Sequence, residues 1–265
     1  MNNFDYHAHP AVSKSHLDAI GQSPLHYWCR FLDPNRVPPQ PTPAMEFGSA
    51  VHAAVLEPEV FAAEYAKAPD LPKTTKAGKE AWAAAAQPGI KLLKPDEWSQ
   101  IQSIEAALSA HPMASKVLQS PGRSEASFFA IDPATDLEIK CRPDHLTDSG
   151  WVVDLKTTQD ASLAGFGKSI ANFRYHVQAA HYLTVLELAT GVRPKGFIFV
   201  AVEKTYPFAI QVFKCSDDLI AQGTRTARAN LEALRTALST YPLTTPWPSY
   251  SNQMTEINLP IWARN

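Results

Sequence analysis

The stretch WVVDLKTT, residues Trp151–Thr158, decides the fold of this chain, because its apolar and β-branched residues predict a buried β-strand. Successive side chains of a strand point to opposite faces, so Asp154 and Lys156 lie on the same face. A carboxylate and an ammonium then project together from an otherwise apolar strand. Taken alone, this pair is more typical of a salt bridge on a solvent-exposed strand face, which contributes little to stability.

A second acidic residue precedes this strand. Pro143–Asp144 ends a strand-like run, and Asp148–Ser149–Gly150 supplies a turn before the strand begins. A hairpin of this length can bring Asp144 close to Asp154. Two carboxylates beside a lysine suit Mg²⁺, which prefers oxygen ligands, lowers the pKa of an attacking water and neutralises charge on a phosphodiester. Lys156 could deprotonate or orient that water, or stabilise the developing charge. The pattern predicts metal-assisted phosphodiester cleavage.

Composition places the chain among soluble globular proteins, since 45% of its 265 residues are hydrophobic and 19% are charged. No apolar run approaches the roughly 18 residues that a membrane span needs, and the N-terminus lacks the features of a signal peptide. We therefore expect a cytoplasmic protein without membrane association. The net charge of −2 neither indicates nor excludes nucleic-acid binding, because a basic groove can coexist with an acidic exterior.

The cysteines exclude several classes of site. Cys29, Cys141 and Cys215 are odd in number, far apart in sequence and not arranged as Cys-x-x-Cys. This spacing argues against a disulfide framework, a zinc knuckle and a four-cysteine iron–sulfur cluster. We expect no iron–sulfur cluster.

The order of predicted elements indicates an α/β (α+β) fold in one domain, residues 1–265. A helical N-terminal part (13–120) precedes the core (121–240) and an extended, proline-rich C-terminal arm (241–265). The predicted helices are 13–20, one opened by Ser23–Pro24, 44–56, 96–110, 172–190 and 217–239. The predicted strands are 125–131, 137–142 and 151–157, which would form an antiparallel meander, then 197–202 and 208–212. Together they predict a central mixed sheet flanked by helices.

Other polar residues are candidates for the same site. His52 lies one turn after Gly48 in a predicted helix, although a lone histidine among alanine and valine is more often structural. Gln178 and Tyr182 share one helical face with Arg174, which could also mark an ordinary amphipathic helix. Glu125 could add a third carboxylate or a neighbouring contact, or pair with Lys140 or Arg142 across strands. Arg30 and Arg174 could contact a DNA phosphate, and an arginine stem covering apolar surface is the alternative for Arg30.

These motifs occur in one order: Gly48-x-x-x-His52, Pro143–Asp144, Asp154–Leu155–Lys156 and Gln178-x-x-x-Tyr182. In that order they resemble the PD-(D/E)xK nuclease superfamily and its RecB-like branch, with a restriction-endonuclease-like core. Further segments resemble the RecE-type exonucleases, the exodeoxyribonuclease VIII family, over nearly the whole chain. These are 13–17, 23–27, 47–58, 247–248 and 259–262.

The resemblance implies specific roles. The metal ligands, for Mg²⁺ or for Mn²⁺ in its place, would be His52, Asp144, Asp154 and the Leu155 carbonyl. Lys156 would be the catalytic base or orient the water. Gln178 and Tyr182 would support the site. RecE-type enzymes degrade linear double-stranded DNA in the 5′–3′ direction and leave 3′ single-stranded tails for a RecT-like annealing protein. They assemble into homo-oligomeric rings and serve recombination.

Two alternatives stay open. The first is another nuclease of the superfamily, either an endonuclease or a Cas4-like enzyme, and the lack of a cysteine cluster argues against the latter. The second is an inactive DNA-binding or assembly module. Inactive members of the superfamily usually lose a carboxylate or the lysine, whereas this chain keeps Asp144, Asp154 and Lys156. Asp154→Ala is expected to abolish cleavage and spare folding, because it removes one of two carboxylates that repel each other.

Overall fold

A computed structural model describes residues 1, 3–38 and 40–259. The N-terminal part is helical, and several of its helices begin at proline, which suits the first helical position because it has no N–H to leave unpaired. Its helices are α1 (Asn3–Ala8), α2 (Lys14–Gln22), α3 (Pro24–Tyr27, continued by a π-helical turn Trp28–Leu32), α4 (Pro43–Leu56), α5 (Pro58–Glu64), α6 (Lys76–Ala85), α7 (Pro95–Ala110) and α8 (Pro112–Leu118).

Strands dominate the middle of the chain, where two helices interrupt their succession, and one long helix follows the last strand. A short parallel pair, β1 (Tyr65–Lys67) and β2 (Lys91–Leu93), lies within the helical part. The remaining strands are β3 (Gly122–Ser124), β4 (Phe128–Ile131), β5 (Glu138–Cys141), β6 (His145–Thr147), β7 (Trp151–Thr158), β8 (Gly196–Glu203) and β9 (Ile210–Lys214). The last helices are α9 (Leu163–Asn172), α10 (Tyr175–Thr190) and α11 (Asp217–Thr240).

The centre of the molecule is a five-stranded mixed sheet with the order β3-β6-β7-β8-β9. β7 and β8 are parallel, with Asp154 opposite Phe199, whereas the other neighbouring strands are antiparallel. β8 is almost entirely apolar because both of its faces are covered, as its sequence predicts. The mixed α/β architecture expected from the sequence is therefore confirmed.

The two faces of the sheet form two hydrophobic clusters. Val152, Phe197 and Phe199 pack with side chains of α2, α10 and α11 on one face. Val153, Leu155, Val200 and Val202 pack with α4 and α7 on the other. The alternation predicted for β7 is thus observed, and it sends Asp154 and Lys156 toward the α10 side.

The strands before β7 pair differently from the predicted meander. Residues 138–141 form β5 and pair with β4 in a separate two-stranded sheet, and β7 forms its hairpin with β6 instead. Pro143 separates β5 from β6 because proline offers no N–H to a ladder. Gly150 adopts φ 87° in the turn between β6 and β7.

The predicted helix 172–190 begins later than expected. Arg174 has a left-handed backbone with φ 54°, so α10 starts at Tyr175 and the separate helix α9 ends at Asn172. Arg174 therefore precedes α10 and does not share the face of Gln178 and Tyr182 within it. The predicted starts at Ser23 and Ser216 are observed, since each hydroxyl accepts a hydrogen bond from a backbone N–H of the first turn.

The first part of the C-terminal arm packs back onto the helical part. Trp247 is 2% exposed, and its ring stacks on Tyr27 with centroids 5.6 Å apart. Trp28 Nε1 donates to the Leu243 carbonyl at 2.9 Å, and the Leu25 N–H donates to the Pro248 carbonyl at 2.9 Å. Pro260–Trp262, which the sequence analysis also assigned to this arm, lies outside the described residues.

Among the described residues, we find no helix whose length and apolar character would let it cross a membrane.

Stability should decrease on acidification because of His181. This side chain is 1% exposed, and its Nε2 lies 3.0 Å from the Lys140 carbonyl oxygen. Burial lowers the pKa of His181 from 6.5 to about 4. The unfolded chain therefore binds the proton more readily, and the stabilisation present above pH ~6.5 is lost as the pH falls toward 4. We expect this residue to cost about 2 kcal/mol between pH 7 and pH 5.

Urea unfolding of the parent protein and His181→Gln at both pH values measures this effect. The glutamine amide can still donate to a carbonyl but does not titrate, so the variant should show the smaller change with pH. Equal changes in the two proteins would contradict the assignment to His181.

Candidate active site and metal centre

The β6–β7 hairpin brings Asp144 against β7. Asp144 directly precedes β6, is 8% exposed, and its Oδ2 accepts a hydrogen bond from the Leu155 N–H at 2.7 Å. The same oxygen lies 3.4 Å from Nδ1 of His52, which α4 supplies from the opposite side. Two residues that are 92 positions apart thus meet at β7, because α4 packs on the sheet face beneath Leu155.

Asp154 is fully buried, and both of its oxygens have partners. Oδ2 accepts a hydrogen bond from Gln178 Nε2 at 2.6 Å, and Oδ1 contacts Lys156 Nζ. Lys156 Nζ also lies 4.9 Å from the centre of the Tyr175 ring. The sequence analysis did not select Tyr175, although it precedes Gln178 by three residues and so shares its helical face.

Glu125 supplies a third carboxylate from the turn between β3 and β4. Ligand atoms of His52, Glu125 and Asp144 all lie within 4.8 Å of one another. Glu125 has φ 49°, and its N–H donates to the Asp144 carbonyl at 3.1 Å. Its Oε2 is also 3.1 Å from Nε of Arg142. Glu125 therefore lies near Asp144 and also pairs with Arg142, and a metal-binding role for it stays a prediction.

The carboxylates of Asp154 and Glu125 have raised pKa values. Burial and then the charge of Asp144 raise the pKa of Asp154 to about 6, while Lys156 opposes the shift. Burial and Asp144 likewise raise the pKa of Glu125 to about 8, against the effect of Arg142. Burial lowers the pKa of Lys156, but the charges of Asp154 and Asp144 outweigh it, so the net shift is upward. Lys156 is therefore a charged ammonium in this arrangement.

The residues present fit a divalent cation. Three carboxylates converge with one imidazole, and this oxygen-rich set suits hard cations such as Mg²⁺ or Mn²⁺. A cation bound among them would offset the repulsion by Asp144 that contributes to the raised pKa values of Asp154 and Glu125. The ligand atoms that lie close together belong to His52, Glu125 and Asp144. Asp154 lies next to them, and its two carboxylate oxygens contact Gln178 and Lys156. The Leu155 side chain lies in the core, and its carbonyl as a ligand stays a prediction.

Tyr182 lies one turn beyond Gln178, with its ring 6.2 Å from that of Phe197. Within the described part of the chain its hydroxyl makes no hydrogen bond. Burial raises the pKa of this phenol well above its usual value, and nearby Tyr6 and Asp154 add to the effect. Tyr182 thus borders the site, and a supporting role for it stays a prediction.

The two arginines suggested for phosphate contact are placed differently. Arg30 is exposed, and its guanidinium lies 5.5 Å from the centre of the Phe31 ring. Arg174 Nε lies 3.5 Å from Asp18 Oδ1, so Arg174 links the turn before α10 to α2. A phosphate contact by either arginine stays a prediction.

The three cysteines carry free thiols, with Cys29 exposed and the other two buried.

Comparison with known structures finds several matches, and the first one given below supports the fold. A crystal structure of a protein from Eubacterium rectale, named only provisionally as an exonuclease, superposes with a TM-score of 0.65 at 14% identity, covering 99% of this chain and 97% of that one. A phage-related exonuclease from Haemophilus somnus 129PT matches at 13% identity with a TM-score of 0.36, covering 89% and 99% of the two chains. An alkaline exonuclease from Laribacter hongkongensis matches at 15% identity with a TM-score of 0.28, covering 51% and 70%.

Comparison of the sequence with family profiles identifies the family of this chain. A search of curated proteins finds no match. A family profile described as a PDDEXK-like domain of unknown function (DUF3799) matches residues 13–256. This match spans the helical part, the β6–β7 hairpin with its carboxylates and most of the C-terminal arm. The chain therefore belongs to this PDDEXK-like family.

Proposed function

We propose that the protein is a metal-dependent DNA nuclease, and specifically a Mg²⁺-dependent exonuclease that degrades linear double-stranded DNA in the 5′–3′ direction. The observation that carries this proposal is the convergence of Asp144, Asp154 and Lys156 on one hairpin, with His52 and Glu125 against them. The family match supports it, because the matched profile is described as PDDEXK-like and its range, residues 13–256, includes Asp144, Asp154 and Lys156.

His52, Glu125 and Asp144 would hold the cation, and Asp154 would join them. A bound divalent cation supplies charge neutralisation at the phosphodiester and a lower pKa for the attacking water. Lys156 keeps a positive charge beside the reacting phosphate, where a fixed ammonium stabilises developing negative charge. Gln178 holds the Asp154 carboxylate through its amide, and Tyr175 covers Lys156 on one side.

The direction of digestion, the product and the biological role are proposed from the resemblance to the RecE-type exonucleases. It favours digestion from DNA ends, 3′ single-stranded tails as product and use in recombination, and the exonuclease assignment of the Eubacterium rectale protein agrees with end-dependent cutting. We propose on the same basis a homo-oligomeric ring, a RecT-like annealing partner and a cytoplasmic location. We also propose that residues 1–265 form one domain, since helices from both halves of the chain pack on the same sheet.

Digestion of linear and covalently closed duplex DNA in Mg²⁺ tests this function. We expect linear DNA to be consumed and closed circles to be spared, because an exonuclease needs an end. With separate 5′ and 3′ labels on the linear substrate, the 5′ label should be released first. Cutting of closed circles would replace the proposal with an endonuclease. Failure to cut either substrate in Mg²⁺ or Mn²⁺ would overturn the nuclease assignment.

A further inference from the structure

A cleft of about 740 Å³ opens directly onto the proposed active site. It runs from the start of α4 to the turn between α9 and α10, and its walls include His52 and Lys156. Its other lining residues that matter here are Met45, Lys168, Phe173, Tyr175 and Lys204. This inference rests on the proposed function, because it concerns where the DNA lies.

Charge distinguishes this cleft from a smaller one on the other side of His52. The smaller cleft is lined by Glu57, Glu64 and Glu125, and its two basic residues are already paired. Lys91 lies 3.2 Å from Glu64, and Arg142 lies 3.1 Å from Glu125. The larger cleft is lined by three lysines, Lys156, Lys168 and Lys204, and by one carboxylate, Asp160. Lys168 and Lys204 form no ion pair within 4.0 Å with any residue that the structure describes, although Asp160 is close enough to feel the charge of Lys168. A polyanion is therefore favoured in the larger cleft.

Aromatic rings lead from Lys156 to the surface of this cleft. The Tyr175 ring lies under Lys156 Nζ, and the Phe173 ring lies 5.5 Å from that of Tyr175. Phe173 is 58% exposed. A single exposed aromatic side chain is ordinary on a protein surface. The position of Phe173 is distinctive because its ring packs against Tyr175, which contacts Lys156, in a cleft that Lys168 and Lys204 also line.

The backbone that carries Phe173 is held by α2. Lys14 Nζ donates to the Phe173 carbonyl at 2.7 Å, and Asp18 lies 3.5 Å from Arg174. Arg174 itself has φ 54° and ψ 42°, a conformation that non-glycine residues seldom adopt. Residues that hold such a conformation are usually constrained by their surroundings. The turn thus presents an apolar ring in a defined position.

We propose that Phe173 stacks on a terminal or unpaired nucleobase of the DNA strand whose phosphates lie along Lys168 and Lys204. Every base has a flat aromatic face, so this contact needs no particular sequence. It would place one nucleotide against the ring while the adjoining phosphate lies near Lys156. Stacking of one base on an aromatic side chain changes affinity by roughly 10-fold or more.

A DNA duplex with 2-aminopurine at its terminal position tests this contact, because stacking quenches the fluorescence of this base analogue. All proteins in the binding series carry Lys156→Ala to prevent turnover. Phe173→Ala should bind the duplex about 10-fold more weakly and lose the quenching. Phe173→Tyr should restore both, because it keeps the ring. Tyr250→Ala is the matched control, since Tyr250 is also exposed (63%) and does not line the cleft.

The experiment distinguishes failure of the stacking role of Phe173 from failure of the proposed nuclease function. If the Lys156→Ala protein with Phe173→Ala binds and quenches the probe as its parent does, the stacking role is overturned, and DNA cleavage by the unmodified protein still supports a nuclease. If the unmodified protein neither binds nor cuts DNA, the proposed function fails and this inference fails with it. Equal losses in Phe173→Ala and Tyr250→Ala would also contradict the assignment to Phe173.

Discussion

Lys156→Ala should reduce the rate of DNA cleavage by about 1,000-fold while the affinity for a divalent cation stays near that of the parent protein. The ammonium contacts Asp154, whereas the close group of metal-ligating atoms belongs to His52, Glu125 and Asp144. Its loss removes positive charge beside the phosphate without removing a ligand. Cleavage kinetics on linear DNA and Mn²⁺ calorimetry measure the two properties.

Lys116→Ala is the control for this variant. Lys116 is an exposed lysine on α8 and lines none of the clefts around the site, so its loss changes the net charge equally and should leave cleavage unchanged. Loss of Mn²⁺ affinity in Lys156→Ala would contradict the separation of roles between Lys156 and the metal ligands. Full activity of Lys156→Ala would remove Lys156 from the reaction.

Asp144→Asn should lower the affinity for Mn²⁺ by more than about 100-fold and abolish detectable cleavage. The carboxylate of Asp144 is shared by the interactions that organise the site, since it lies beside His52 and Glu125. An asparagine oxygen can still accept the hydrogen bond from the Leu155 N–H, so the hairpin should persist. The metal-free variant should be at least as stable as the parent, because a repelling charge is removed.

Asp148→Asn provides the matched control, because Asp148 lies in the exposed turn of the same hairpin. It removes one carboxylate of equal size and should change neither Mn²⁺ binding nor cleavage. Calorimetry and thermal unfolding without metal measure both variants. Normal Mn²⁺ binding by Asp144→Asn, with its fold intact, would show that the cation site lies elsewhere.

The structure changes the expectation for Asp154→Ala. From the sequence, this substitution should spare folding because it separates two like charges. Asp154 is instead fully buried between Lys156 and Gln178. Removing either partner of such a pair leaves a buried charge uncompensated and commonly costs about 3–5 kcal/mol, so Lys156→Ala carries the same cost as Asp154→Ala. Asp144→Asn therefore tests the chemistry with less disturbance of the fold.

Features set by local residues could be predicted from the sequence. The alternation in β7 places Asp154 and Lys156 on one face, and the apolar run of β8 identifies a strand covered on both sides. Serine and proline fix the starts of α3 and α11 through interactions within their first turns. These signals depend on interactions within one strand or one helical turn, so the rest of the fold does not change them.

Features set by distant contacts could not be predicted. Whether β5 would pair with β4 or β7 depends on the competition between two ladders, and periodicity does not decide it. The proximity of Glu125 to Asp144 depends on a left-handed residue in an irregular turn. Tyr175 lies under Lys156 because the left-handed backbone of Arg174 separates α9 from α10. An arginine in the sequence does not predict a left-handed backbone.

The most direct test of the proposed active site is Mg²⁺-dependent cleavage of end-labelled linear duplex DNA, measured in parallel for the parent protein, Lys156→Ala and Asp144→Asn. We expect the parent to release the label in Mg²⁺ and to stop when EDTA removes the cation, and both variants to be inactive although folded. Cleavage by both variants at the rate of the parent would contradict the assignment of the reaction to this hairpin.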